Sequence, residues 1–246
     1  MKDKKNILII GASSGIGNQI ARIYAEKGYK LTICARRMER LKELADEYPG
    51  QMACRYLDVS APDAASTFMS IIEALPHPDI IINCAGIGKY NPDLDCDTDM
   101  RTIATDCSGF VAIADTAFNY YAKTGKTGHF AAISSIAGVR SLGVALSYSA
   151  SKRFQNAYLE GLDQLRRMRK IQVRITDIRP GFAATDLLDK QHKYPMQMQP
   201  EHVARIAVKA ISRNKRVVVI DWRYKILVAL WRLIPRCLWV RLPIKL

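Results

Sequence analysis

Short apolar runs alternate with longer stretches whose apolar positions recur at helical spacing, from the start of the chain to about residue 220. The strand-like runs are Asn6–Ile10, Lys30–Cys34, Met52–Leu57, Asp79–Asn83, His129–Ser134, Gln172–Ile178 and Arg216–Ile220. Between them lie amphipathic stretches at Gly15–Lys27, Met38–Glu47, Ala61–Ala74, Ile103–Lys123, Ser149–Arg169 and Pro200–Arg213. Strands that are apolar throughout are buried on both faces, and intervening helices supply the crossovers that parallel pairing needs. The pattern therefore predicts an α/β fold: one doubly wound parallel sheet of about seven strands, helices on both faces, and a C-terminal helical appendage. No internal repeat, low-complexity tract or linker interrupts it. The expected division is a main domain over 1–221 and a tail over 222–246.

Composition narrows the classes. Of 246 residues, 49% are hydrophobic and 24% charged, enough for one substantial core and too apolar for a disordered chain. Six cysteines, at 34, 54, 84, 96, 107 and 237, form no CxxC pair and no short Cys/His cluster. That spacing predicts neither a metal site nor a disulfide framework, and fits reduced thiols in a cytoplasm. Residues Met1 to Lys5 are basic, but the apolar run after them is too short for a signal peptide and meets Gly11 at once. Ile226–Trp231, the longest apolar run near the C-terminus, ends at Arg232 and is too short to span a bilayer.

The first strand runs into Gly11-Ala12-Ser13-Ser14-Gly15-Ile16-Gly17, and a helical pattern follows. Gly11 permits a tight turn, Gly15 lets the backbone approach a pyrophosphate, and Gly17 allows close packing of the helix. The free N–H groups and dipole at the helix start face the phosphates. Gly11, Ser13, Ser14, Gly15, Ile16 and Gly17 are accordingly assigned to a dinucleotide. At the end of the second strand, where an acid would select NAD through the ribose 2′-hydroxyl, the chain reads Cys34-Ala35-Arg36-Arg37. Two guanidiniums suit a 2′-phosphate, so NADP(H) is expected over NAD(H).

Ser134-Ser135 ends the fifth strand, and Tyr148-Ser149-Ala150-Ser151-Lys152 opens the next long helix. A Tyr and a Lys four residues apart lie about 40° apart around a helix and face one cleft. A free phenol, with a pKa near ~10, is a poor proton donor-acceptor at neutral pH; a nearby ammonium stabilises the phenolate. Ser135 can donate to an oxygen on which negative charge grows.

The Gly-x₃-Gly-x-Gly turn together with the Ser…Tyr-x₃-Lys spacing resembles the short-chain dehydrogenase/reductase superfamily over residues 6 to about 220. The resemblance implies a Rossmann-fold catalytic domain over 1–221 and NADP(H)-dependent interconversion of a ketone and a secondary alcohol, with catalytic residues Ser135, Tyr148 and Lys152. Tyr148 and Lys152 also bind the nicotinamide ribose. It further implies that Arg36 and Arg37 bind the 2′-phosphate, and that Asp58, with Val59 beside it, meets the adenine. Asn83-Cys84-Ala85-Gly86 stands for the family's N-N-A-G turn, so Asn83, Ala85 and Gly86 line the cofactor. Pro180, Gly181, Ala183 and Thr185, in Pro180-Gly181-Phe182-Ala183-Ala184-Thr185, hold the nicotinamide carboxamide. Ile10 replaces the common Thr before the first glycine. Asp106, in Thr105-Asp106-Cys107-Ser108-Gly109, replaces the usual Asn, whose backbone carbonyl helps hold a water linking the lysine to solvent. The Asp106 carbonyl could still bind that water, while its carboxylate would alter the electrostatics.

The net charge is +14, from 37 Lys and Arg against 23 Asp and Glu. The tail contributes Arg223, Lys225, Arg232, Arg236, Arg241 and Lys245 with no acid, interleaved with Trp222, Tyr224, Trp231 and Trp239 and broken by Pro235 and Pro243. Basic residues flanking Trp and Leu suit an anionic membrane surface contacted without spanning. Packing in a homodimer or homotetramer remains the alternative. Nucleic acid is not expected, since no reading motif accompanies the charge. Phe182, Leu187, Leu188, Tyr194, Met196 and Met198 fall in the family's variable substrate loop and suit a bulky apolar ligand. The expected substrate is thus lipid-like, of sphingoid or steroid type, and the protein cytoplasmic or peripheral on the inner face of a membrane. A polar keto substrate (a sugar or 3-oxoacyl thioester) and a non-catalytic NADP-sensing protein are the competing readings.

Overall fold

The computed structural model describes residues 5–188 and 194–244. The chain start before Lys5, part of the substrate loop (189–193) and Lys245 of the tail lie outside the described residues. Seven strands, β1 (Asn6–Ile10), β2 (Lys30–Ala35), β3 (Met52–Tyr56), β4 (Ile80–Asn83), β5 (Gly128–Ile133), β6 (Val173–Arg179) and β7 (Val217–Val219), form one sheet in the order β3-β2-β1-β4-β5-β6-β7. Every pairing is parallel. The order reverses between β1 and β4, and the carboxyl ends of the strands at such a reversal are where open α/β sheets bind ligands.

The uninterrupted apolar strands have a simple cause. In β1, Ile7 and Ile9 enter one core cluster and Leu8 and Ile10 the other. In β4, Ile80 and Ile82 face the first and Ile81 the second. The first layer receives α1 (Gly15–Glu26), α2 (Met38–Asp46) and α7 (Pro200–Ser212). The second receives α3 (Ala64–Glu73), α5 (Phe110–Thr124) and α6 (Leu146–Met168).

Three helix starts differ from expectation by about one turn or more, the other ends by at most a residue. Helix α3 starts at Ala64 rather than Ala61, because residues 58–63 turn through Ala61 N–H to Asp58 O, at 3.2 Å, ahead of Asp63. Helix α6 starts at Leu146 rather than Ser149. The middle helix starts earlier, as α4 (Cys96–Ile103), whose polar sequence hid it from the apolar periodicity; Asp95 caps it by accepting from Thr98 N. A π-helical turn over Ala104–Gly109 joins α4 to α5. After β7, α8 (Trp222–Leu233) and the short α9 (Arg236–Trp239) form the tail. No described helix is long and apolar enough to cross a membrane, and all six cysteines are free.

One polar residue inside the sheet ties stability to pH. His129, 6% exposed, places Nε2 2.8 Å from Thr176 Oγ1, whose own hydroxyl donates to Lys215 O at 2.6 Å. Nε2 must therefore be the donor, a bond that the neutral and the charged ring can both make, so burial rather than this bond sets the charge. Burial, aided by Arg174 and Lys5, lowers the His129 pKa to about 4. The sign follows: stability is fully present above the ordinary histidine value of ~6.5 and is lost as pH falls toward about 4. Urea unfolding at pH 7 and pH 4.5 should show wild type losing more stability than His129→Gln, by a difference of up to about 3 kcal/mol.

Candidate active site

The glycine turn is closed by backbone contacts that leave no room for side chains. Gly11 has φ +80°, and a Cβ there would lie 2.6 Å from Ala85 N; its N–H donates to Cys34 O at 2.8 Å. A Cβ on Gly17 would lie 2.3 Å from Gly11 O, so α1 can start against the turn only because position 17 has none. Gly15, at φ +57°, faces the Thr185 methyl, where an added Cβ would sit 3.1 Å away. This brings the Pro180–Thr185 segment over the start of α1. Ser14 is the N-cap without a side-chain hydrogen bond to the helix, and no acid stands in the first turn. An uncompensated helix N-terminus and a clear backbone cradle fit a pyrophosphate.

Around this turn the residues expected for the adenosine end are gathered. Arg37 donates from Nη2 to Ser13 Oγ at 3.0 Å and to Ser14 Oγ at 2.6 Å. Arg36 points toward Asp58, Nη1 to Oδ2 at 3.9 Å, and is largely exposed. Asp58 Oδ1 is already engaged by Ser60 N and Oγ, at 2.9 and 2.6 Å. The Val59 carbonyl lies where a Cβ on Gly109 would be 2.4 Å from it, which explains glycine at the end of the π-helical turn. Asn83 is buried and accepts from Ala85 N at 3.1 Å, fixing the turn that carries Gly86.

On α6, Tyr148 and Lys152 share a face, with Lys152 Nζ 5.5 Å from the Tyr148 ring centroid. Ser135, 5% exposed, follows β5; its Oγ accepts from Ala137 N at 3.1 Å and reaches Pro180 O at 3.5 Å. Beneath it, Ser134 Oγ donates to Asp177 Oδ1, and Arg179 pairs with Asp177 at 2.6 Å. Burial raises the Asp177 carboxyl, with Arg179 opposing.

Asp106 sits inside the π-helical turn, fully buried, and meets Lys152 directly: Nζ to Oδ2 is 3.0 Å. Its Oδ1 accepts from Ile87 N at 2.8 Å. The Asp106 carbonyl accepts from Gln155 Nε2 at 2.8 Å, while Gln155 Oε1 accepts from Lys152 at 3.1 Å. Burial pushes the Asp106 carboxyl up, the ammonium opposing; burial pulls Lys152 down, but Asp106 and Tyr148 leave it raised.

Three residues escaped the sequence reading. Gln155 had a signal, its helical spacing from Lys152. Gly88 had none: a Cβ there would lie 2.3 Å from the Tyr148 ring. Tyr224, wholly buried, lies against Gly181, where a Cβ would come within 2.2 Å of its ring. Its hydroxyl accepts from Phe182 N at 3.2 Å and donates to Pro195 O at 2.9 Å. Ala183 bridges to Met198. Thr185 does not cap a helix at Asp186; residues 185–188 form a turn.

The glycine contacts are testable. Gly17→Ala should cost about 1–3 kcal/mol by urea unfolding, as overpacking against backbone does. Gly143→Ala, which faces open space, should stay within about 0.5 kcal/mol.

Comparison with known proteins agrees with this geometry. A family model described as short chain dehydrogenase matches residues 5–195. An uncharacterized oxidoreductase of Mycobacterium tuberculosis is 33% identical over 250 residues, covering 98% of this chain and 95% of its own. The NADPH-dependent 1-acyldihydroxyacetone phosphate reductase of Saccharomyces cerevisiae is 32% identical over 195 residues, covering 76% of this chain and 64% of its own. A short-chain dehydrogenase from Sphingobium yanoikuyae, solved in complex with NADPH, superposes with a TM-score of 0.79 at 22% identity, over 94% of this chain and 97% of its own, and shares the fold. With the family match spanning most of the chain, and a parallel sheet that reverses beside a glycine turn, this protein belongs to the short chain dehydrogenase family of oxidoreductases.

Proposed function

We propose that this protein is an NADP(H)-dependent reductase of a lipophilic ketone, interconverting it with a secondary alcohol. The observation that carries the reading is the Lys152 ammonium 5.5 Å from the Tyr148 ring centroid, both packed against Gly86 and Gly88 in the connection that also closes on Gly11 of the glycine turn. Residues 1–221 are read as the catalytic unit and 222–246 as a tail that serves it.

Gly11, Ser13, Ser14, Gly15, Ile16 and Gly17 would hold the pyrophosphate, and Asp58, Val59, Asn83, Ala85 and Gly86 the adenosine and ribose side. Pro180, Gly181, Ala183 and Thr185 would hold the carboxamide. Arg36 and Arg37, with no acid at the end of β2, favour a 2′-phosphate. When bound, the nicotinamide supplies or takes up a hydride at the carbonyl carbon. Ser135 Oγ donates to the substrate oxygen as negative charge grows on it. The Tyr148 hydroxyl delivers its proton to that oxygen in reduction and recovers it in oxidation. Lys152 would hold the ribose hydroxyls, and its ammonium stands 5.5 Å from the Tyr148 ring centroid.

The lipophilic substrate is supported by the tail. Trp231, Ile234 and Trp239 pack with Ala137, Leu142 and Tyr148 in one apolar cluster, so the wall beside the phenol is hydrocarbon and indole. Trp239 Nε1 donates to Ser141 O at 2.9 Å, and Arg140 Nε to Trp231 O at 2.9 Å, pinning tail to loop. The yeast relative's name also denotes a lipid-like ketone.

The outer face of α8 supports an anionic membrane surface as partner. Trp222, Ile226, Leu230 and Leu233 are 52–78% exposed. At 100° per residue they lie within an arc of about 80°, opposite the buried Tyr224 and Val228. Arg223 stands on one side of this stripe and Lys225 and Arg232 on the other, as in an interfacial helix. Leu238, Val240 and Leu242 extend the exposed apolar surface.

With NADPH in excess, turnover should rise along a series of ketones of increasing apolar chain length and stay low for sugars and 3-oxoacyl thioesters. Tyr148→Phe should lower kcat by about 10²-fold or more, with the NADPH Kd, from nucleotide fluorescence, changed less than about twofold. Undiminished turnover would sink the catalytic assignment. Co-sedimentation with phosphatidylglycerol vesicles should fall at least about fivefold in an Ile226→Asp, Leu230→Asp variant. Equal sedimentation would assign the stripe to a second copy of the chain.

A further inference from the structure

A lysine whose ammonium is to acidify a neighbouring phenol does so as an unopposed positive charge. Lys152 is not unopposed. Its Nζ lies 3.0 Å from Asp106 Oδ2, with the two side chains 5% and 0% exposed. A buried ion pair at that separation presents a dipole to its surroundings, and a dipole's field falls faster with distance than that of a lone charge. The pair lies out of bulk solvent, and Gln155 bridges Lys152 and the Asp106 carbonyl at 3.1 and 2.8 Å.

The remaining neighbours leave the pair intact. From the connection after β4 comes the Ile87 N–H, which holds Oδ1, and Gly86, where a Cβ would lie 3.1 Å from Nζ. On the same turn Cys107 donates to Ser151 Oγ at 3.3 Å. From β6 the carboxylate of Asp177 is paired with Arg179. From α6 the remaining ionisable group beside Lys152 is the Tyr148 phenol, with its ring centroid 5.5 Å from Nζ. Removing the Asp106 charge would therefore leave one uncompensated ammonium beside one phenol.

We propose that Asp106 is a positioning residue that neutralises Lys152, opposes the pull of that ammonium on the Tyr148 phenol and so favours the kcat of carbonyl reduction over that of alcohol oxidation, with Gln155 closing the path by which solvent would reach the lysine. The inference rests on the oxidoreductase reading for its direction of catalysis, but its electrostatic core does not need turnover. Reduction consumes the proton of the Tyr148 hydroxyl: the O–H bond breaks, an O–H bond to the former carbonyl oxygen forms, and hydride from the reduced nicotinamide supplies the electron pair. Alcohol oxidation needs the phenolate at the start. A charge that opposes phenolate formation favours the first over the second.

The test is a titration of Tyr148 in the cofactor-free protein, using ¹³Cζ-labelled tyrosine and assigning the resonance by its loss in Tyr148→Phe. Asp106→Asn keeps the shape and the acceptor for Ile87 N; Asp106→Ser also removes the charge. Both should lower the Tyr148 midpoint by about one unit or more relative to wild type. In whichever ketone–alcohol pair turns over, the ratio of oxidation to reduction kcat at pH 7 should rise about tenfold. An unchanged midpoint in a variant with wild-type circular dichroism would overturn the proposal. Failure of both variants to fold would also overturn it, by making the carboxylate a purely structural partner. A lowered midpoint in a protein that reduces no ketone would keep the electrostatics and remove the proposed function.

Discussion

The site is organised around one desolvated ammonium. A charge taken out of water costs several kcal/mol unless its partners are close and fixed, and leaving such a charge unpaired costs on the order of 3–5 kcal/mol. Lys152 meets this constraint through Asp106 and Gln155, and each of them depends on something else. Asp106 faces inward from a π-helical turn in a helix that is otherwise regular on both sides. That turn packs closely enough on Val59 to require Gly109. Gly86 and Gly88 are bare because Lys152 and the Tyr148 ring occupy the space their side chains would need. Widened turns of this kind recur at functional sites because they re-aim a side chain without breaking the helix.

The tail joins two surfaces that would otherwise be separate. Tyr224 and Val228 belong to the main core, and the Tyr224 hydroxyl holds both ends of the described part of the substrate loop through Phe182 N and Pro195 O. Further along, Trp231 and Trp239 meet edge to face, 5.4 Å between centroids, over Leu142 and Ala137. Deleting the tail would therefore remove the Tyr224 contacts to Phe182 and Pro195 and the indoles packed with Tyr148. The exposed Trp222, Ile226, Leu230 and Leu233 lie on the opposite side of the same helix from Tyr224 and Val228.

Much of the fold was legible because each strand is apolar on both faces, which leaves parallel pairing between helices as the way to bury it. The glycine spacing and the Tyr148–Lys152 pair were legible for a related reason: the geometry is local, set by a turn or by one helical revolution. Helix α4 was not, since its sequence, CDTDMRTI, carries almost no apolar face and is held by a cap and by contact with α6. Gly88 was illegible because the ring it accommodates is sixty residues away.

The chain by itself determined the sheet, the glycine turn after β1 and the pairing of Tyr148 with Lys152 on one helix face, because hydrophobic periodicity and short-range spacing encode them. It also announced that an acid stands where an amide is usual. Only the tertiary structure decided what that acid does. Asp106 and Lys152 lie 46 positions apart, and a widened turn, a pair of bare glycines and a glutamine from the facing helix bring carboxylate and ammonium to 3.0 Å. Such a contact depends on how two helices pack, and packing across that separation leaves no period in the sequence to read.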